Sequence, residues 1–322
     1  MGMPVNENPL SDPPPPTATD RIEAGIASMF VGAHGIRVGW RWLIFLLICF
    51  VSAGFLILAA VAAGILHIDK GQSPAALFTA KGVLTQEGAL VIGLFFAAFI
   101  MSKIEGRRIG DYGLPRAEAF GKRFWQGVVW GFVSITLTLV LIAALHGLNF
   151  GNVALSGSAL AKYAVAWAGA FLFTGFFEEF LFRGYSQFTL TQGMRFWPAA
   201  VFLSLVFGAG HLSNAGEAWP GALSAGVIGF FFCFTLWRTG SIWFAVGLHA
   251  AWDYGETFVY GAPDSGFVAP GHLLNSSFHG PRWLTGGSVG PEASVFCFVV
   301  MALMFLVFHF AYPAREEDAR IP

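Results

Sequence analysis

The sequence predicts an all-α, polytopic membrane protein with about eight transmembrane helices, and three observations carry that expectation. Of 322 residues, 56% are hydrophobic and only 11% are charged, where a soluble domain carries roughly 25% charged residues. Mean hydropathy is +0.64. Apolar runs long enough, or nearly so, to cross about 30 Å of hydrocarbon at about 1.5 Å per residue recur along the whole chain. A net charge of −1 offers no basic surface, so no nucleic-acid partner is expected.

The elements follow in order. Residues 1–36 read as a Pro-rich, disordered N-terminal tail, with the run Pro13–Pro16 and many Asn, Asp, Ser and Thr residues in its first half. This tail has no short apolar core of the signal-peptide kind, and the first long apolar run begins near Leu43. Eight spans are expected at 42–66, 86–102, 124–146, 163–190, 197–213, 220–238, 241–260 and 292–312. The second and fifth are short, and charge interrupts the fourth. Residues 261–290, rich in Gly, Ser and Pro, form a loop between the last two spans. The membrane domain is thus 37–313, followed by a short tail at 314–322. Cys49, Cys233 and Cys297 all fall inside apolar runs, which suits small core residues and neither a disulfide framework nor a thiolate metal site.

Charge placement sets the expected orientation. With the N-terminus in the cytoplasm, the outside segments hold only Lys70, Lys81, Lys162 and Arg282, and the other 14 of the 18 basic residues lie inside. The loop between the second and third spans contributes most of that bias, as the positive-inside rule requires. An even number of spans puts both termini in the cytoplasm.

An ionisable group at mid-bilayer costs about 2.5–3.5 kcal/mol even on the lenient insertion scale, so each one needs a reason. The fourth span contains Glu178-Glu179 among phenylalanines, followed by Arg183. Glu179 and Arg183 are four apart, with the acid first, which is the favourable order for a helical ion pair. Glu178 points about 100° away around the helix, so Glu179 serves as the structural partner of Arg183 while Glu178 stays free to face a cavity as a general base. The fifth span supplies Phe207 and His211 on one face, and the seventh supplies His249 and Asp253, again four apart. A pocket combining these carboxylates and imidazoles could activate a water and stabilise an oxyanion. Taken singly, a lone intramembrane histidine is more often a hydrogen-bonded packing residue, and a Glu-Glu pair also suits a proton relay. Asp253 alone could orient His249 or simply sit near the outer interface.

Together, Glu178-Glu179-x-x-x-Arg183, Phe207-x-x-x-His211 and His249-x-x-x-Asp253 resemble the three motifs of the CAAX-protease and bacteriocin-processing (CPBP/Abi) family of intramembrane endopeptidases. The resemblance is close over about 160–260, and Arg107–Leu114 resembles the basic segment before that family's third span. It implies peptide-bond hydrolysis within the bilayer, with Glu178 activating water and His211 and His249 as oxyanion or metal partners. Glu179, Arg183 and Phe207 would support them. The implied metal is a divalent ion, zinc being best suited to two imidazoles and a carboxylate, with His211, His249 and Glu178 as its ligands. The eukaryotic CAAX branch has Asn at the last motif position, whose amide can donate. Asp253 when ionised can only accept, which favours a role in orienting His249 or holding metal, and fits the bacterial branches. A bacterial inner-membrane location and a membrane-embedded or lipidated peptide or protein substrate follow from the resemblance.

Other intramembrane protease chemistries lack their motifs. No histidine is followed by Glu, so there is no H-E-x-x-H zinc helix. Neither a G-x-S-G element nor a G-x-G-D element is present. Two further functions remain compatible with the sequence: a proton- or ion-coupled transporter using the same Glu/His set, and a non-catalytic membrane immunity or scaffold protein.

Overall fold

The computed structural model describes residues 25, 27–33, 35–68, 74–214 and 218–313. The expected C-terminal tail and nearly all of residues 1–26 lie outside them. A short antiparallel pair, β1 (Val31–Gly32) with β2 (Gly35–Ile36), precedes the first long helix. The described residues then form helices α1 (Val38–Ala62), α2 (Ala80–Glu105), α3 (Lys122–Ala144), α4 (Gly157–Glu179), α5 (Gln187–Met194), α6 (Phe196–His211), α7 (Trp219–Thr239), α8 (Trp243–Asp253) and α9 (Val295–Ala311).

The protein is all-α and built to sit in a bilayer. Helices α1, α2, α3, α7 and the continuous Gly157–Met194 stretch are long and apolar enough to cross a membrane, whereas α6 and α9 are apolar but shorter. Their outward faces carry the expected lipid-facing residues: α1 buries only Phe45, Cys49 and Ala53 and exposes Leu47, Phe55 and Leu58. In water such a surface would aggregate, whereas in hydrocarbon it is the solvated face.

Local signals explain several boundaries. Helix α2 starts six residues before the expected span because Thr79 caps it, its hydroxyl accepting the Gly82 N–H at 3.1 Å. It ends at Gly106, whose φ of 66° is the left-handed conformation that glycine adopts without a Cβ clash. Pro220 opens α7 and Gly240, at φ 68°, closes it. The basic 107–114 segment folds back over the end of α2, where Tyr112 donates to Glu105 Oε2 at 3.1 Å and Tyr185 donates to Oε1 at 2.5 Å. Arg41 adds an ion pair to the same carboxylate at 3.4 Å. Three segments are thereby tied at one end of the bundle.

The helix expected to run straight through 163–190 is interrupted. After Glu179 the backbone widens into a π-helical turn, Phe180–Ser186, with Gly184 out of helical geometry at φ −82° and ψ −110°. A second π-helical turn, Tyr254–Val259, follows α8 directly. Turns of this kind, which shift the register of side chains along a helix, concentrate at functional sites.

Helix α8 is held by unusually close backbone crossings. A Cβ added at Gly127 or Gly131 of α3 would collide with the carbonyl oxygens of Phe244 or Leu248, and one at Gly247 would collide with that of Phe124. Small residues let the two backbones meet without an intervening side-chain layer. Gly175 of α4 approaches Val246 in the same way, and Gly208 of α6 approaches Ala222 of α7. The 261–290 loop contains β4 (Ser277–Phe278), which pairs antiparallel with β3 (Leu148–Asn149), and so is pinned to the segment after α3.

Candidate active site

The three motifs converge on one cavity. Glu178 from α4, His211 from the end of α6, and His249 and Asp253 from α8 all line a space of about 370 Å³. Glu178 Oε2 lies 3.6 Å from His249 Nε2, and Asp253 Oδ2 lies 3.6 Å from the same nitrogen. Both distances exceed a direct hydrogen bond, and the cavity beside these atoms has room for water. Glu178 Oε2 is buried and has no hydrogen-bond partner in the protein, so its lone pairs are available to whatever occupies the cavity.

The neighbouring Glu179 faces away and is completely buried. Its Oε1 lies 3.2 Å from Arg183 Nη1 and 2.8 Å from His249 Nδ1. A carboxylate accepts only, so this contact assigns the Nδ1 hydrogen to His249 and leaves Nε2 facing the cavity. The orienting bond to His249 therefore comes from Glu179, one helix away, while Asp253 stands at 3.6 Å from the other nitrogen. Helical spacing alone pointed to Asp253 for that role, because a contact between α4 and α8 leaves no trace in the local pattern.

Arg183 is itself fully buried. Its Nε donates to the Gly229 carbonyl at 3.3 Å, and its guanidinium carbon lies 4.5 Å from the Phe207 ring centroid and 5.3 Å from that of Phe232. Cation–π contact in a desolvated site is worth about 2 kcal/mol. A Cβ at Gly229 would strike the guanidinium, so the missing side chain is what makes room for it. Phe207 also accepts a hydrogen bond at its carbonyl from His211 Nδ1 at 2.8 Å, and its ring meets the imidazole edge-on at 4.7 Å. His211 thus also presents Nε2. Phe232 stacks on His249 at 5.7 Å.

Several acidic residues at this end of the bundle were not singled out from the sequence. Glu87 of α2 lines the same cavity, with its Oε2 buried and without a partner. Asp264 and Glu292 line it from the loop side, and Glu256 lies fully buried in the turn after α8. Asp264 sits in the loop, outside the spans, and burial together with the Glu292 carboxylate pushes it up to about 7. The signal for Glu87 and Glu256 was present, since any ionisable residue inside a span is a functional candidate. Asp264 and Glu292 fall in or beside a polar loop, where acids are ordinary.

The expected zinc ligands can be compared with these distances. Among the described residues, the donor atoms that converge within 4.8 Å of one another in a group of three or more belong to Glu256, Asp264 and Glu292. Those of Glu178, His211 and His249 do not form such a group.

Fold and cavity together define an integral membrane protein whose spanning helices gather carboxylates and imidazoles around one shared cavity. Residues 160–255, which run from α4 to the end of the third motif, match the Rce1-like family of type II CAAX prenyl endopeptidases. This match agrees with the CPBP/Abi resemblance of the motifs and supports a membrane endopeptidase in general class. No curated protein and no solved structure matches the chain.

Proposed function

We propose that the protein hydrolyses a peptide bond of a membrane-embedded or lipidated substrate with a water activated by Glu178. The observation that carries this reading is the single cavity shared by Glu178, His211, His249 and Asp253. Glu178 takes a proton from a water as the water oxygen bonds to the scissile carbonyl carbon. That proton then passes to the amide nitrogen as the C–N bond breaks, giving a carboxylic acid and an amine, and the acid gives up its proton to the amine on release. His211, with Nδ1 committed to the Phe207 carbonyl, uses Nε2 to align the water. His249, fixed by Glu179, turns Nε2 toward the oxygen that gains charge in the tetrahedral intermediate, where a protonated nitrogen stabilises it. Glu179 and Arg183 act through His249 and are positioning residues.

The same reading places the chain in a bacterial inner membrane with both termini in the cytoplasm. Its support is the distribution of the 18 basic residues, together with Asp253 where the eukaryotic CAAX branch has Asn. The test is cleavage of candidate transmembrane and lipidated peptides by the purified protein in lipid, read by mass spectrometry. Product is expected with the wild type and none with Glu178→Gln; equal cleavage by both would remove Glu178 from the mechanism.

A further inference from the structure

We propose that Glu256, Asp264 and Glu292 form a binding site for a hard divalent cation of calcium's size, distinct from the catalytic groups. One carboxylate oxygen from each lies within 4.8 Å of the others. Oxygens that share a cation at about 2.4 Å are at most about 4.8 Å apart, so the spacing suits calcium. Donors that are all oxygen favour such an ion over zinc or copper, which prefer imidazole and thiolate.

A second observation points to the ligand itself. Glu256 is completely buried, and its Oε2 accepts the Trp252 indole N–H at 2.7 Å while its Oε1 has no partner. A buried carboxylate oxygen left without a donor is costly unless something supplies positive charge. The neighbouring acids are likewise engaged through one oxygen. Asp264 Oδ2 accepts the Thr257 hydroxyl at 2.6 Å, and Glu292 Oε2 accepts the Ser265 N–H and hydroxyl at 2.8 and 2.9 Å. Among the described residues, none of the ion pairs involves any of the three acids. Three mutually close, mostly buried carboxyl groups without an ion-pair partner among the described residues would be held together as anions by a cation between them.

The site has a route and a consequence. Asp264, Ser265 and Glu292 line the catalytic cavity, so an ion can arrive through it. Glu256 follows α8, Asp264 belongs to the 261–290 loop, and Glu292 sits in the short turn Pro291–Ala293 just before α9. A bound cation would clip that loop to the ends of both helices.

The experiment uses the full-length protein in detergent, stripped with a chelator and titrated with Ca²⁺ alone by calorimetry and thermal unfolding. Saturating Ca²⁺ is expected to raise the midpoint by about 5 °C, with Zn²⁺ giving less. Glu256→Gln and Glu292→Gln are expected to weaken Ca²⁺ binding at least tenfold, while Glu178→Gln keeps the wild-type shift. Should a variant fail to fold, the wild-type titration still decides. Absence of Ca²⁺ binding at millimolar concentration, unchanged affinity in Glu292→Gln, or loss of the shift in Glu178→Gln would each overturn the proposal.

Discussion

Glu178 and Glu179 are adjacent in sequence and live in opposite surroundings. Glu179 is sealed among Arg183, His249 and the Phe207 and Phe232 rings that flank them, and its side chain has no solvent exposure. Glu178 keeps 23% of its side chain exposed, toward a cavity that also holds Asp253 and Glu87. The helix turns by about 100° between them, and that rotation separates a fixed charge from a free one. A buried charge with a built partner holds geometry, whereas a charge with open lone pairs is left for chemistry. The second kind needs the first close by.

Substitutions can break this contrast, and the largest effect belongs to the open side. Glu178→Gln is expected to lower turnover by about a thousandfold or more, because the proposed general base is lost, with the thermal midpoint unchanged within a degree or two. A stability loss as large as the activity loss would show that Glu178 belongs to the scaffold. On the sealed side the order reverses. Arg183→Met leaves Glu179 buried without its cation, which costs about 3–5 kcal/mol, and calorimetry of the solubilised protein should show a clearly lowered midpoint. Gly229→Ala is milder: its methyl meets the guanidinium, for a loss of about 1–3 kcal/mol, and residual activity should fall as His249 loses its alignment.

The smallest effect is a pH dependence confined to the loop rim. Asp264 is raised from its ordinary value of 3.8 to about 7, so the folded state holds a proton that the unfolded chain releases. Its contribution to stability is full below about 4 and is lost as pH rises through about 7. In chelator, the wild-type midpoint should therefore fall by a few degrees between pH 5 and pH 8, and Asp264→Asn should flatten that slope. An equal slope in both proteins would place the titration elsewhere.

The sequence made the spans and the three motifs legible, because apolar length and i, i+4 spacing are local properties. Helices α1, α3 and α7 begin and end within a few residues of the expected spans for that reason. Contacts between helices were not legible. That His249 is oriented by Glu179 depends on α8 pressing against α4, and that Arg183 fits at all depends on a glycine 46 residues later. The two π-helical turns were not legible either, since Phe180–Ser186 and Tyr254–Val259 differ from the helices around them in hydrogen-bond register, which no residue type marks. Glu87 lay in plain view near the start of the second span, but its meaning came only from the cavity that it shares.

The shortness of α6 bears on supply. Its 16 residues reach about 24 Å, less than the roughly 30 Å of a bilayer's hydrocarbon, and His211 is its last residue. A helix that stops short makes the lipid around it thin or tilt, drawing the wet headgroup layer down toward its end. Under the proposed mechanism a hydrolase buried in oil needs its second reactant delivered, and such a dent would bring the aqueous boundary to His211. Hydrolysis should accordingly be faster in short-chain than in long-chain lipid, as rates in vesicles of graded thickness would reveal.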